Sequence, residues 1–207
     1  MFETDTIKAR LCEHKRKHEL LTPCRDDSLT YSFQVGAFDG EQYSNTLMLE
    51  RYYNWTGVLI EPAIENYRRL HSLNRHAWLL NACVSNVTSV SWLMFQTKGS
   101  GARIVNTTNA TDEAVTTPCV PLSAVFEAIG AKHYDLVCLD LEGHELHVLQ
   151  STDWNKVDID FLQIECFREC RQKPKYLTDL RNFLQSKGFM QVDELKNIDL
   201  LFASTNT

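Results

Sequence analysis

Three short stretches of this chain carry residues whose types and spacing suit chemistry. The first is Val35-Gly36-Ala37-Phe38-Asp39-Gly40. Glycine at Gly36 and Gly40 lets a backbone turn tightly and approach a ligand closely, because no Cβ stands in the way. A tight turn with no ligand would call for the same residues. The second is Glu61, 21 residues beyond Gly40 at the end of an apolar run. Nucleoside sites place an acid there, since a carboxylate offers two acceptors to the two adjacent hydroxyls of a ribose. The third is Asp140-Leu141-Glu142-Gly143-His144-Glu145. Glu142 and Glu145 could simply complement the positive end of a helix, but that accounts for neither Asp140 at a strand tip nor His144. With Glu165 ending a later apolar run, three acids and a histidine around one cleft suit acid-base chemistry or a cation site.

Alternating strands and helices must position these residues. Residues 32–35 read as a strand entering the glycine turn, and Ser44 can cap a helix through Tyr53. Residues 57–60 form an apolar strand, followed by a helix with Ile64, Tyr67 and Leu70 at helical spacing, then a strand over 77–84. Val90, Trp92 and Met94 alternate with Ser91, Leu93 and Phe95, which predicts a half-buried strand inserted beside the main sheet. Residues 99–118, rich in Thr, Asn and Gly, read as a long mobile loop. Leu122, Val125, Phe126 and Ile129 give the next helix, stopped by Gly130. A strand over 135–140, a helix over 144–150, a strand over 159–165, a helix through Leu177, Leu180 and Leu184, and a last strand over 200–203 complete the series. Strands apolar throughout imply a parallel sheet covered on both faces, and right-handed crossovers make a doubly wound α/β fold the expected result. Its ligands bind beyond the carboxyl ends of the strands, where strand order reverses.

The 207 residues suit one domain, read as an N-terminal helical segment over 1–30 and a main domain over 31–207. The basic stretch from Lys8 to His18 also carries Glu13 and reads as a solvated face of a helix that Pro23 ends. A net charge of -6 gives no reason to expect nucleic acid as partner, and no apolar run is long enough to span a membrane. Read literally, the chain is cytoplasmic. Four N-glycosylation sequons, at Asn54, Asn86, Asn106 and Asn109, stand against roughly one or two expected by chance. Cys83 and Cys138 sit in apolar runs as small hydrophobes, while Cys12 with Cys24, or Cys166 with Cys170, could pair in an oxidising compartment. The secretory-pathway lumen is therefore the alternative, for a domain excised from a larger protein.

In order and spacing, Val35 to Gly40, Leu59-Ile60-Glu61-Pro62, Asp140 to Glu145 and Gly188-Phe189 resemble the FkbM family of methyltransferases, over roughly residues 31–203. The run from Phe33 through Pro62 resembles its animal branch, which includes Star-type membrane proteins. The resemblance implies a class I, Rossmann-like methyltransferase fold with S-adenosylmethionine as donor and O-methylation of a sugar or small-molecule hydroxyl. It places donor binding on Gly36, Ala37, Phe38, Asp39 and Gly40, with Glu61 on the ribose hydroxyls and Asp140 beside the sulfonium. Cys83 and Ser85, on the strand end over 81–85, would flank the adenine. Asp140, Glu142 and His144 become the catalytic candidates. One position departs from the family: the residue two before Gly36 is normally an acid that helps hold the positive donor, and here it is Gln34.

A hydroxyl nucleophile must lose its proton as the new bond forms. His144 has the ordinary pKa best suited to take it, and Asp140 is the second choice. Asp140, Glu142 and Glu165 could instead share a Mg²⁺, whose preference is for hard oxygen ligands. His71, His76, His133 and His147 have no evident partners in the sequence. A catalytically silent binding or trafficking module on the same fold is the alternative. A nicotinamide dehydrogenase is disfavoured because the turn lacks the G-x-G-x-x-G arrangement.

Overall fold

The computed structural model describes residues 30–98, 101–105, 114–166, 172–195 and 199–205. The helix expected before Pro23 lies outside the described residues, as does nearly all of the 1–30 segment. The chain runs β1 (Tyr31–Val35), α1 (Leu47–Tyr53), β2 (Thr56–Ile60), α2 (Ile64–Ser72) and β3 (Trp78–Leu80). Four strands follow in succession: β4 (Cys83–Val84), β5 (Ser91–Lys98), β6 (Gly101–Ile104) and β7 (Val115–Val120). Alternation then resumes with α3 (Leu122–Ile129), β8 (His133–Leu139), α4 (Glu145–Ser151) and β9 (Asp158–Glu165). The last elements are α5 (Pro174–Ser186), β10 (Phe189–Leu195) and β11 (Asp199–Ser204).

The main sheet has the order β10-β11-β9-β8-β1-β2-β3. Its five strands from β9 to β3 pair in parallel, and β11 and β10 join antiparallel at one side. The expected doubly wound α/β sheet is thus present, with β1 and β8 flanking the point where strand order reverses. Both faces of the sheet are covered, which explains why its strands are apolar throughout. Phe33, Val35, Val137, Leu139, Leu162 and Ile164 face Phe126, Leu149, Leu180 and Leu184 from the helices. Leu136, Cys138, Phe161 and Leu201 face Leu49 and Trp55 on the other side. Each such side chain contributes about 1.5–3 kcal/mol on burial. The helical pattern ending at Ile129 behaves as predicted, with Gly130 in the left-handed conformation closing α3.

Four expectations are corrected. The strand read over 77–84 is two strands in two sheets: β3 joins the main sheet, while β4 joins a second sheet of order β4-β7-β5-β6. Asn81 marks the break, its Nδ2 donating to the Glu61 carbonyl at 2.8 Å and the Pro62 carbonyl at 3.2 Å. The loop read over 99–118 is in part strand, because β6 and β7 both pair antiparallel with β5, while residues 99–100 and 106–113 lie outside the described residues. Thr116, Thr117, Val115 and Val120 are β-branched, so the Thr content read as loop is equally strand content. β10 escaped the pattern reading; a register shift between Gln191 and Asp193 breaks its alternation. Finally, α1 begins at Leu47 with Thr46 as its N-cap, although Ser44 Oγ does accept the Leu47 N–H at 3.2 Å.

Candidate active site

Strand register builds the site. Val35 pairs with Ile60 on one side and Leu139 on the other, and Leu139 pairs with Ile164. The residues after these four are Gly36, Glu61, Asp140 and Glu165, which therefore emerge in a row along the carboxyl edge of the sheet. A cleft of about 170 Å³ opens at this edge. Gly36, Phe38, Glu61 and Pro62 form its floor, and Asp140, Leu141, Glu142 and His144 one flank. Cys83, Val84, Phe95 and Ile104 from the small sheet make an apolar wall, and Tyr43 stands at the rim. Gly36 has φ +80°, and a Cβ there would fall 2.5 Å from the Asp140 carbonyl oxygen. No other residue lets the β1 turn lie this close to the end of β8.

Backbone strain concentrates here. Among the described residues, non-glycine left-handed conformations occur at Phe38, Tyr43, Asn54, Asn74 and Glu142. Asparagine tolerates that region; the other three residues do not, and all three line the cleft. Such conformations cost about 1–3 kcal/mol each and persist where the surroundings over-determine them.

Two carboxyls in the cleft hold protons unusually well. Glu61 is 4% exposed, and burial pushes its carboxyl up to about 7. Hydrogen bonds oppose that rise: Ala63 N–H to Oε1 at 2.9 Å, Phe38 N–H to Oε2 at 2.8 Å and Asn66 Nδ2 to Oε1 at 3.4 Å. Asp140 is pushed up to about 8, first by desolvation and then by the fields of Glu165, Glu142, Glu145 and Asp199. Asp140 is exposed at this edge of the sheet, so water screens both the desolvation and those fields and the rise is smaller than burial alone would give. Glu145 points away from the cleft, with its Oε1 accepting the Leu141 and Gly143 N–H groups at 2.8 and 3.1 Å. Its Oε2 accepts the Tyr176 hydroxyl at 2.8 Å. Glu145 thereby pins the turn that presents Asp140, Glu142 and His144, and burial raises its pKa as well. The described residues lining the cleft include no Lys or Arg. Such a site attracts a cation and accepts hydrogen bonds from hydroxyls.

The profile of the methyltransferase FkbM domain matches residues 34–190. This chain belongs to the FkbM methyltransferase family. The match begins on β1 and ends on β10, so it spans the row of strand ends just described. Among solved structures, the chain is similar to the FkbM methyltransferase of Methylobacillus flagellatus, at 16% identity and TM-score 0.50. That alignment covers 86% of this chain and 44% of the other, so this chain spans less than half the bacterial protein's length. It is also similar to the METTL16 methyltransferase domain, at 10% identity and TM-score 0.52, over 99% of this chain and 82% of the other. At these identities the likeness speaks for the fold alone. No curated protein matches the chain.

Within this FkbM domain, the expected donor residues separate into two groups. Gly36, Phe38, Glu61, Cys83 and Asp140 line the cleft, as do Glu142 and His144. Ala37, Asp39, Gly40 and Ser85 do not. Ala37 is buried with Leu59 and Leu70. Asp39 Oδ1 accepts the N–H groups of Glu41 and Gln42 at 3.0 and 2.8 Å, an Asx turn that shapes the loop. Gly40 packs on Leu70, and its carbonyl accepts from Arg75 Nη1. The Ser85 N–H donates to the Val120 carbonyl at 3.1 Å. Cys83 lines the wall, but its sulfur is bonded to Cys119, a pairing the apolar reading of this segment did not anticipate.

Gln34 also sits off the cleft. It is 2% exposed, and its Oε1 accepts from Thr46 Oγ1 at 2.9 Å and Ser44 Oγ at 3.3 Å. Those two hydroxyls also meet the guanidinium of buried Arg75, which is paired with Glu50 at 2.7 Å. A neutral amide suits a network whose one cation already has its carboxylate. The proposed Mg²⁺ ligands fare less well. Among the described residues, the one group whose ligand atoms lie within 4.8 Å of one another is His133, Asp135 and Asp160. Asp140, Glu142 and Glu165 do not converge in that way, and no metal-dependent step follows. His133, read as partnerless, meets Asp158 at 3.0 Å and Asp160 at 3.6 Å at the opposite edge of the sheet. Tyr43, Phe95 and Ile104 were missed as lining residues, and Glu145, read only as a complement to the helix start, was missed as the residue that pins the turn. Of these only Glu145 had a local signal, its place in the acidic run at the start of α4.

Proposed function

We propose that this domain transfers a methyl group from S-adenosylmethionine to a hydroxyl of a sugar or other small molecule. The observation that carries the reading is the row of Gly36, Glu61 and Asp140 around one cleft, set by paired strand ends. Gly36 gives the donor backbone-close access. Glu61, already oriented by Phe38 and Ala63, keeps lone pairs for the two ribose hydroxyls. The apolar wall of Val84, Phe95 and Ile104 suits a flat purine. When bound, the donor supplies an electrophilic methyl on a positive sulfur. A positive sulfur beside Asp140 draws that carboxyl into its ionised form, and together with Glu142 it then places negative charge beside the sulfur, which favours a neutral hydroxyl as acceptor and opposes anionic ones such as nucleic acid. His144, at the start of α4 on the same flank, accepts the hydroxyl proton as the new bond forms. Calorimetric titration with S-adenosylmethionine and with NAD tests the reading: the first is expected to bind and the second not. Glu61→Ala is expected to weaken donor binding by about 2–4 kcal/mol through two lost charge-assisted hydrogen bonds. Unchanged affinity in that variant defeats the assignment. Donor binding without transfer to any hydroxyl acceptor would favour the silent module instead.

Compartment is the finer part of the reading. No helix among the described residues is long and apolar enough to cross a membrane. The buried Cys83–Cys119 disulfide favours an oxidising lumen over the cytoplasm, where thiols are kept reduced.

A further inference from the structure

We propose that Asn54 and Asn86 carry N-linked glycans, an inference that rests on the oxidising-lumen reading and extends it. The chemistry is in the triplets Asn54-Trp55-Thr56 and Asn86-Val87-Thr88, neither with Pro at the middle position. In the fold both asparagines are exposed. Asn54 ends α1 in the left-handed conformation, but that role uses its backbone, whose N–H donates to the Leu49 carbonyl. The carboxamide stays outside the helix.

Position argues that the sugars are compatible with the cleft. Asn54 lies two residues before the first residue of β2, at the amino edge of the main sheet. The cleft opens at the carboxyl edge, so a glycan on Asn54 projects from the opposite side. Asn86 lies two residues beyond the last residue of β4 and is not among the residues that line the cleft.

An independent observation places the chain where such chemistry occurs. Cys83 and Cys119 are 3% and 0% exposed and bonded to each other, and Cys166 is disulfide-bonded too. Each bond requires two thiols to give up two electrons and two protons to the oxidant of an oxidising compartment. Cys138 remains a thiol, 1% exposed against the Gln163 amide and out of reach of that oxidant. In the same compartment a separate transferase would use a lipid diphosphate-linked oligosaccharide. The sugar's anomeric C–O bond to phosphate breaks, a C–N bond forms to Asn Nδ2, and the amide proton leaves with the lipid diphosphate.

The test uses the protein isolated from its own cells. It is unfolded in denaturant so that buried thiols are reached, alkylated without reduction, treated with peptide N-glycosidase in heavy-oxygen water, and mapped by peptide mass spectrometry. Conversion of Asn54 and Asn86 to labelled Asp, with Cys83 and Cys119 protected from alkylation, is the expected result. Unlabelled asparagine at either position overturns that site. If Cys83 and Cys119 are still protected, the oxidising-lumen reading survives that loss; alkylation of both cysteines overturns it as well. Asn54→Gln and Asn86→Gln, expressed through a eukaryotic secretory pathway, are each expected to remove one glycan's mobility shift. Absence of a shift in both overturns the proposal, and donor affinity in Asn54→Gln is expected to be unchanged.

Discussion

The two sheets bordering the cleft are held together in different ways and contribute different chemistry. The main sheet is buried on both faces by large apolar clusters, and its strand ends carry the titratable groups. Among the described residues, the small sheet's own apolar cluster has three buried members, Cys83, Phe95 and Cys119, and two of these are joined covalently. A large apolar interior can offset the cost of keeping carboxyls such as Glu61 and Glu145 short of water, whereas a cluster of three buried side chains cannot. The small sheet accordingly supplies only an apolar wall, and a crosslink replaces much of the packing it lacks. Charge sits where the apolar interior is large, and shape where the sheet is stapled.

The largest effects are expected from the main-sheet flank. His144→Ala and Asp140→Asn are each expected to slow transfer by about 10²–10⁴-fold, while calorimetry still finds donor binding. If both variants keep full activity against a genuine acceptor, the chemistry does not belong to this flank and the contrast fails. Replacing Cys83 and Cys119 together by Ser opens a staple across 36 residues of sequence, at a cost of about 3–4 kcal/mol. Hydrogen exchange is expected to accelerate in β5 and β7 while β1 and β8 keep their protection. Equal acceleration in both sheets would show that they unfold as one unit.

A smaller effect sharpens the same contrast through pH. Glu61 binds its proton more tightly folded, at about 7, than at its ordinary value of 4.5. Between those values the native state holds more protons than the unfolded chain, so stability falls as pH rises from about 4.5 to about 7 and then levels off. The loss attributable to this group is about 3 kcal/mol, measurable by urea unfolding across that range. Glu61→Gln is expected to flatten the slope. Donor binding should show the smallest effect. A cationic donor binds the ionised cleft better, so affinity for S-adenosylmethionine is expected to rise about tenfold between pH 6 and 8. S-adenosylhomocysteine, uncharged at sulfur, is expected to change less. Equal pH dependence for the two would remove Asp140 from the sulfonium.

Legibility in the sequence follows the same division. The central strands of the main sheet, β1, β2 and β8, were readable because their apolar runs and turn residues are local signals: Val35 into Gly36, Ile60 into Glu61, Leu139 into Asp140. Each sits at a strand end where the residue type changes abruptly. The small sheet gave weaker signals. Its β4 is two residues long, and its Thr-rich β7 reads as easily as loop. Site residues divided likewise. Glu61 and Asp140 announced themselves by charge after an apolar run, while Phe95 and Ile104 resemble any half-buried strand residue. Asp39 is ambiguous, because an acid in a glycine turn can serve a ligand or its own backbone, as it does here toward Glu41 and Gln42, and local sequence does not distinguish the two.

The alternation of strands and helices from β1 to α2 and from α3 to α5, the glycine turn at Gly36 and the acids at the strand tips were determined by the sequence itself, because hydrophobic period and backbone sterics act over a few residues. Only the tertiary structure decided that β4 leaves the main sheet, that Cys83 meets Cys119, and that Arg75 satisfies the polar groups around Gln34. Those outcomes depend on which faces remain to be buried once the large sheet has formed, and that information is spread over the whole chain.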